Sequence, residues 1–505
     1  MFEAVHGTLA QRKLEMQGKG QVKVSAKLEL NVACKQVLST SAKCFLTGTE
    51  RGDSGEVRVN GKVVTRVIYL DEFDGFNSEE RIDTFSERIV LKNSAAISVT
   101  ASANVLESSV ADNAGQSVEV DSVVDLVVLG LVAAEVKFVS NVVGAEVRHE
   151  RAKVATFERA IEEKFSADEK LELDKNCAGV LGVDCSASVR DVYVDDGKVT
   201  IKGIVSANVI TVKSGETTTM MNTIHEFDFS KVVHLTELTA EDIVYGAVVV
   251  AGVTIRAENK GTPQLNIEVD LVFNGHMVVA KQIEHVVDAF SSDFALSFSS
   301  ASAEHVNALP QTNAVVDVEG NMTMQANSAY IARVLSTKSA RITGVNIGVT
   351  DGKVSIEGVM AASIVYECEE KQIHSHVAEV PFSTTIRVEG ANNSFNIQAM
   401  VSVVSCYVKG RRGKELMVDA KLGVSISATE TQTCELTTDI AQGDAKVRDD
   451  SAIVIYMVEA GETLWDVAKR ISMPSAEIVR QNPSCENGVS QGDKIFIYRQ
   501  QVINF

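Results

Sequence analysis

A run of alternating apolar and polar residues lies between two glycines early in the chain: Gly55-Glu56-Val57-Arg58-Val59-Asn60-Gly61. Valines at every second position place one face of an extended segment in an apolar core and leave the other face in water. The first glycine suits a turn that needs a positive φ, and the second suits a bulge or a close approach of backbone. The run therefore predicts a half-buried antiparallel strand.

The same run occurs twice more in the chain. Gly197–Gly203 lies 142 residues after the first copy, and Gly352–Gly358 lies a further 155 residues on. A valine–leucine pair precedes each copy and a phenylalanine–serine pair follows it. These pairs are Val37-Leu38, Val180-Leu181 and Val334-Leu335, then Phe85-Ser86, Phe229-Ser230 and Phe382-Ser383. Three landmarks in one order at nearly constant offsets indicate an internal repeat.

The repeats predict a mainly β protein with three β-sandwich or barrel-like domains. Helical periodicity is rare in them. The exception is Phe157, Ile161 and Phe165, spaced by four, which fits either a short amphipathic helix or a strand. The predicted bounds are 1–150, 151–300 and 301–440 for the repeats, 441–451 for a polar linker and 452–505 for a C-terminal domain.

Composition and charge narrow the classes of partner. The 505 residues carry a formal net charge of -20, which disfavours nucleic acid and anionic lipid. The longest nearly apolar run, Val123–Val136, contains Asp125 and is too short to cross a membrane. No secretory signal is visible, so we expect a cytoplasmic protein. The 8 cysteines form no CxxC pair, which indicates reduced thiols rather than a zinc site.

Residues 453–498 have a different pattern, namely a strand, two short helices and a closing strand. Thr463 can cap the first helix, and Pro474 stands near the start of the second. This segment resembles a LysM domain. The matching residues are Tyr456, Val458, Gly461, Thr463, Leu464, Ala468, Asn482, Pro483, Gly492, Ile495 and Ile497. Glu462, Val467 and Tyr498 depart from the family pattern.

The LysM resemblance implies a groove that binds glycans containing N-acetylglucosamine. Its residues here would be Gly461, Glu462, Thr463, Leu464 and Trp465 on one side, with Asn482, Pro483 and Ser484 on the other. Such a groove offers backbone polar groups for the acetamide and an apolar floor for the sugar. Leu464 and Pro483 also shape the fold of any LysM domain, and Asn482 can simply cap a helix end.

The order of repeats followed by one LysM domain resembles the SipL-type spore coat morphogenetic proteins of clostridia. That resemblance implies a mother-cell protein located at the forespore or spore surface. It also implies contact between the LysM domain and the ATPase that forms the coat basement. These expectations come from the resemblance and from no spacing within this sequence.

The function hypotheses follow from these features. The first is a non-catalytic scaffold of the spore coat, which docks coat-basement proteins through its repeats and its LysM domain. The alternative is a LysM protein that binds peptidoglycan in the wall or cortex. We predict no catalytic residues, no metal and no cofactor. His374-Ser375-His376, Asp71–Asp74 and Gly52–Gly55 each lack the further residues that a metal site, a calcium loop or a serine protease needs.

Overall fold

A computed structural model of the chain describes residues 2–52, 55–93, 95–215, 218–260, 262–324, 328–411, 413–447 and 451–498. The structure is 79% strand and 4% helix, which confirms the prediction of a mainly β protein. The described sheets are open, so the barrel-like alternative for a repeat is not adopted.

The described strands before residue 446 fall into three units of six strands each. The first unit contains β1 (Glu3–Glu29), β2 (Cys34–Arg51), β3 (Glu56–Asp71), β4 (Phe76–Val90), β5 (Ala96–Asn113) and β6 (Ser117–Val143). The second contains β7 (Glu146–Glu172), β8 (Cys177–Asp195), β9 (Lys198–Lys213), β10 (Thr219–His234), β11 (Ile243–Lys260) and β12 (Thr262–Phe290). The third contains β13 (Phe294–Thr323), β14 (Ile331–Thr350), β15 (Lys353–Cys368), β16 (Ile373–Arg387), β17 (Asn396–Gly410) and β18 (Glu415–Ala445).

Each unit consists of two antiparallel three-stranded sheets in the same order. In the first unit, β2-β3-β4 form a meander, and β6 lies between β1 and β5 in the other sheet. The second unit repeats this as β8-β9-β10 and β7-β12-β11, and the third as β14-β15-β16 and β13-β18-β17. The same strand order therefore occurs three times among the described strands.

The glycine-bounded run begins the middle strand of each meander. Gly55, Gly197 and Gly352 all have a positive φ, between 73° and 75°, which confirms the prediction of a turn. The second glycine lies under the phenylalanine of the phenylalanine–serine landmark. A Cβ atom on Gly203 would stand 2.4 Å from the Phe229 ring. Strand and aromatic ring therefore recur together because the ring occupies the space that a side chain would need.

An apolar core fills the space between the two sheets of each unit. In the first unit, Val57 and Val59 of β3 are fully buried together with Leu126 and Val128 of β6. Burial of side chains of this size stabilises a fold by roughly 1.5–3 kcal/mol each. The alternation seen in the sequence is thus the alternation between core and solvent.

Phe157, Ile161 and Phe165 lie in the strand β7, which decides between the two structures that their spacing allows. Phe157 and Ile161 are buried. A spacing of four fits one face of a regular strand as well as one face of a helix. Here a bulge between Phe157 and Arg159 reverses the alternation, so Phe157 and Ile161 enter different core clusters.

The outer sheet of every unit contains one pair of very long strands, namely β1 with β6, β7 with β12, and β13 with β18. Their far ends, which we call the tip, pack against each other. Val142, Val286 and Ile440, one from each unit, share a core cluster there. The chain passes between units at the tip, between residues 143 and 146 and between 290 and 294. The expected bounds at 150 and 300 lie inside β7 and β13, and the expected linker begins inside β18.

The three units also meet around the valine–leucine landmarks. Leu38, Leu181 and Leu335 are buried in one shared cluster. Each unit contacts the next in a cyclic order, and each contact joins the meander of one unit to the first meander strand of its neighbour. Between the first and second units, Arg66 Nη1 lies 3.3 Å from Asp184 Oδ1. Between the second and third, Asn208 Nδ2 lies 2.9 Å from the Thr337 carbonyl oxygen. Between the third and first, Gln36 Nε2 lies 3.2 Å from the Ile373 carbonyl oxygen. The units therefore form a closed ring of head-to-tail contacts within one chain.

Residues 453–498 form a small C-terminal module in the order that the sequence predicts. Its elements are β19 (Ile453–Met457), α1 (Leu464–Ile471), α2 (Ser475–Gln481), a 3-10 helix (Pro483–Cys485) and β20 (Lys494–Tyr498). The strands β19 and β20 pair antiparallel. Val467, Ile478 and Ile495 form part of its buried core.

Candidate binding groove of the C-terminal module

The turn before α1 is built by a capping box. The Asp466 backbone N–H donates to Thr463 Oγ1 over 3.3 Å, and the Thr463 backbone N–H donates to Asp466 Oδ2 over 2.9 Å. These two bonds satisfy helix N–H groups that would otherwise lack partners. Gly461 precedes the cap with a φ of 82°, a conformation that favours glycine. The first predicted side of the groove therefore has a fixed backbone.

Glu462 holds this turn to β19 and α1. Its carboxylate accepts hydrogen bonds from the Tyr456 hydroxyl over 2.8 Å and from the Glu459 backbone N–H over 2.7 Å, and it lies 3.0 Å from Arg470. The Glu459 amide, with the Tyr456 hydroxyl and the Arg470 guanidinium, holds the pKa of Glu462 below its ordinary value. Its acceptor oxygens thus serve the module itself rather than a ligand.

Asn482 is buried, and its side-chain amide pairs with the backbone. Its Nδ2 donates to the Phe496 carbonyl over 2.7 Å and to the Ile478 carbonyl over 3.1 Å. Its Oδ1 accepts from the Phe496 N–H over 2.8 Å. Asn482 therefore fastens α2 to β20, which agrees with its helix-end role.

Trp465 contacts the second unit. Its Nε1 donates to Asp288 Oδ2 over 2.8 Å, and its ring meets the Phe290 ring edge-on at 5.2 Å. Lys469 donates to the other Asp288 oxygen over 2.6 Å. Burial alone would raise the pKa of Asp288, but the hydrogen bonds from Lys469 and Trp465 outweigh it and the pKa is lowered. The tryptophan thus docks the module onto the tip.

Further contacts strengthen this docking. Lys446 donates to the Ser291 carbonyl over 2.9 Å and to Ser472 Oγ over 2.8 Å. Phe290, at the end of β12, belongs to the apolar core of the module. Nothing in the sequence pattern pointed to Asp288 or Phe290, because neither lies in a repeat landmark or in the LysM pattern.

The remaining predicted residues stay available to a ligand or partner. Gly461, Thr463, Pro483 and Ser484 are exposed or partly exposed, whereas Leu464 is half-buried against the module core. The structure therefore divides the eight residues into four accessible ones, three that support the module itself (Glu462, Leu464 and Asn482) and the docking residue Trp465.

The motifs that lack the residues of a metal site, calcium loop or protease are local structure where the structure describes them. The carboxylate of Asp71 accepts from the backbone N–H groups of Phe73 and Gly75, which makes it a turn cap. The His374 ring packs against the Tyr366 ring at 5.6 Å. Within the described ranges, no group of three or more His, Cys, Asp and Glu residues could hold a metal ion. Asp53 and Ser54 lie outside the described residues.

The cysteines are all free. Burial raises the pKa of Cys44 and of Cys406 to about 12 and that of Cys185 to about 11. A thiol with so high a pKa is a poor nucleophile near neutral pH.

No helix in the part of the chain that the structure describes is long and apolar enough to cross a membrane.

Two segments of the chain match a known family. Residues 178–258 and 330–409 match the family model described as SipL, SPOCS domain. These segments are therefore similar to the SPOCS domain of SipL-type proteins. The match confirms the predicted SipL-type relationship and indicates a sporulation-related protein. No curated protein and no solved structure matches the chain.

The SPOCS matches cover the same four strands in two units. The first begins at β8 and ends within β11, and the second runs from the start of β14 to the end of β17. Both matches together cover about a third of the chain. The long strands at the tip and the C-terminal module lie outside the matched segments.

Proposed function

We propose that the chain is a non-catalytic scaffold for assembly of the spore coat or envelope. The three-unit ring would present sheet faces and strand edges to coat-basement proteins, and the C-terminal module would add a docking site. The partner that the SipL resemblance favours is a coat morphogenetic ATPase-type protein. The scaffold would act in the mother-cell cytoplasm at the forespore or spore surface.

We also propose that the first unit is a third SPOCS copy and that the C-terminal module is a LysM domain. The six-strand order of the first unit, identical to that of the two units with matches, supports the first proposal. The β-α-α-β order and the capped turn at Thr463 support the second.

The observation that carries the scaffold proposal is the union of the two segments that match the SPOCS domain and one module in a single body. All three long strand pairs end at the tip, and the module is held there by Trp465 and Lys446. A protein that holds one small domain at a fixed position suits the assembly of partners better than a chain of domains that move independently.

The test is a chain that ends before residue 452, compared with the full chain in a sporulating cell. We expect the full chain to locate to the forespore surface and to recover coat proteins in a pull-down. The truncated chain should remain folded but lose part of this recruitment. A full-length Arg256→Ala variant serves as control, since Arg256 is exposed and far from the module. Recovery of no coat protein by the full chain would contradict the scaffold proposal.

The alternative is a wall or cortex protein whose module binds N-acetylglucosamine glycans. The accessibility of Gly461, Thr463, Pro483 and Ser484 favours it. Titration of the full chain with chitin and peptidoglycan oligomers tests it. Binding that is lost in Ser484→Arg and kept in Asn487→Arg, an exposed neighbour, would support the glycan function. Absence of saturable binding at millimolar sugar would contradict the glycan-binding function.

A further inference from the structure

Each junction of the ring contains one residue at the same position of its repeat. At two of the three junctions this residue has a polar side chain that reaches the next unit. The residue five positions after the second glycine of each run is Arg66, Asn208 and Ser363. Arg66 reaches Asp184 of the second unit, and its guanidinium is largely buried. Asn208 donates to the Thr337 carbonyl of the third unit. At the first two junctions, a polar side chain at this position thus bonds to the neighbouring unit.

The third junction, between the third unit and the first, is joined by Gln36 and Ile373, but no long polar side chain stands at the equivalent positions. Ser363 is too short to cross it, and Ser41 stands where the second unit has Asp184, 143 residues later in the chain. Both serines line a cavity of about 700 Å³. This volume lies within the range of small-molecule sites, roughly 300–1,000 Å³. Serines thus stand at the two positions that hold the buried ion pair at the first junction.

The lining of this junction cavity favours an anion. It contains the cations Lys43 and Arg341 and no carboxylate, in a chain of net charge -20. Burial lowers the pKa of His376, which lines the cavity as a neutral imidazole. The Lys43 ammonium donates to the Cys185 carbonyl over 3.0 Å and lies 3.5 Å from Asp184 Oδ1, so its charge is already paired. Arg341 donates one bond from Nη1 to the Leu106 carbonyl, and it forms no ion pair with any of the described residues. The remaining donors of a guanidinium suit a carboxylate or a phosphate.

A buried hydroxyl group adds an independent indication. Ser39 lines the cavity and is 7% exposed, and its Oγ has no hydrogen-bond partner among the described residues. The register shifts between Val37 and Ser39, as in a β-bulge, which re-aims a side chain. A buried polar atom without a partner is unfavourable, so rotation of this enclosed hydroxyl toward a ligand oxygen in the cavity would be stabilising.

We propose that the cavity at the third junction binds a small oxyanion that carries a carboxylate or a phosphate group. Arg341 holds the charged group at the rim, and the hydroxyls of Ser39, Ser41 and Ser363 take the remaining oxygens. The ring thus has two structural junctions and one that is converted to a ligand site.

The test measures binding of inorganic phosphate and of malonate to the full chain by calorimetry, at ionic strength held constant with chloride. We expect saturable binding of at least one of them, and the better probe shows which oxyanion the site prefers. Arg341→Ala should weaken this binding about tenfold, the loss of a charge-assisted hydrogen bond. Arg256→Ala, at an exposed arginine elsewhere, should leave it unchanged.

A filling variant makes the test specific to the cavity. Ser41→Asp combined with Ser363→Arg places in the third junction the ion pair that closes the first. We expect this variant to fold, to keep or raise its melting temperature and to lose anion binding. Absence of binding to the unaltered chain, or binding that persists in a folded filling variant, would overturn the proposal.

Discussion

At the scale of residues, the C-terminal module shows how one pattern holds both binding and structural side chains. Asn482 and Glu462 stand in the predicted groove, yet their polar atoms bond within the module. A family pattern shows that a residue type is required at a position. It does not show whether that residue binds a ligand or stabilises the fold. Hydrogen-bond partners therefore had to come from the structure, as did the docking role of Trp465.

The amide of Asn482 should contribute strongly to the stability of the module. Asn482→Ala leaves the Phe496 N–H and carbonyl groups without their side-chain partners, which costs roughly 1–3 kcal/mol for each group that stays buried. Chemical denaturation followed by the fluorescence of Trp465, the sole tryptophan, measures this loss. Asn487→Ala, at an exposed position, is the control. Equal midpoints for both variants would refute the structural role.

The carboxylate of Asp288 should make docking of the module sensitive to acid. Its pKa is lowered from an ordinary value of 3.8, so its contribution is complete above that value and is lost as the pH falls through the lowered pKa. Asp288→Asn should expose Trp465 and shift its fluorescence to the red already at neutral pH. Asp444→Asn, an exposed control, should behave as the unaltered chain does. An unchanged spectrum in Asp288→Asn would show that Trp465 docks without it.

At the scale of elements, alternation with period two was enough to predict the strands, because one face of each meander lies on the core. It also explains why the residues Phe157, Ile161 and Phe165 fitted two structures, since a spacing of four is compatible with both periods. The extent of the long strands was beyond prediction. Their far halves pack against other units, and the polar and small residues there resemble a linker in sequence.

The second glycine of each run should tolerate no side chain. A Cβ on Gly203 would stand 2.3 Å from the Ser188 carbonyl oxygen and 2.4 Å from the Phe229 ring. Gly203→Ala should therefore lower the free energy of unfolding by about 1–3 kcal/mol. Gly179→Ala is a matched control in the same unit, since a Cβ atom on Gly179 would meet open space. Thermal denaturation that ranks the two variants equally would contradict the proposed close contact.

At the scale of the whole molecule, the sequence predicted three copies but not their closure into a ring. The residues at the junctions, such as Leu38, Leu181 and Leu335, are ordinary core residues by type. Only their placement in one shared cluster shows that each unit buries part of its surface against two others. The two serines at the third junction stand out only by comparison of the three equivalent positions.

The buried ion pair of the first junction should be needed for stability. Asp184 and Arg66 are 9% and 14% exposed in their side chains. Arg66→Ala leaves Asp184 with Lys43, at 3.5 Å, as its remaining cation. We therefore expect a loss of stability below the roughly 3–5 kcal/mol of a buried charge without any counterion. Arg256→Ala, whose side chain is 75% exposed, should cost little. Urea denaturation measures both, and a loss below that of the control variant would contradict the closed junction.

The closure of the ring is tested most directly by cross-linking of lysines in the monomeric chain. Lys35 of the first unit and Lys371 of the third are exposed and lie within two residues of the contact between Gln36 and Ile373. Lys19 and Lys92 are a control pair within the first unit, because the Lys92 N–H donates a hydrogen bond to the Gln17 carbonyl and so holds the two segments together. After reaction with a short amine-reactive reagent, mass spectrometry of the monomer should find both links with similar yield. A Lys19–Lys92 link without any Lys35–Lys371 link would show that the three units do not form a ring.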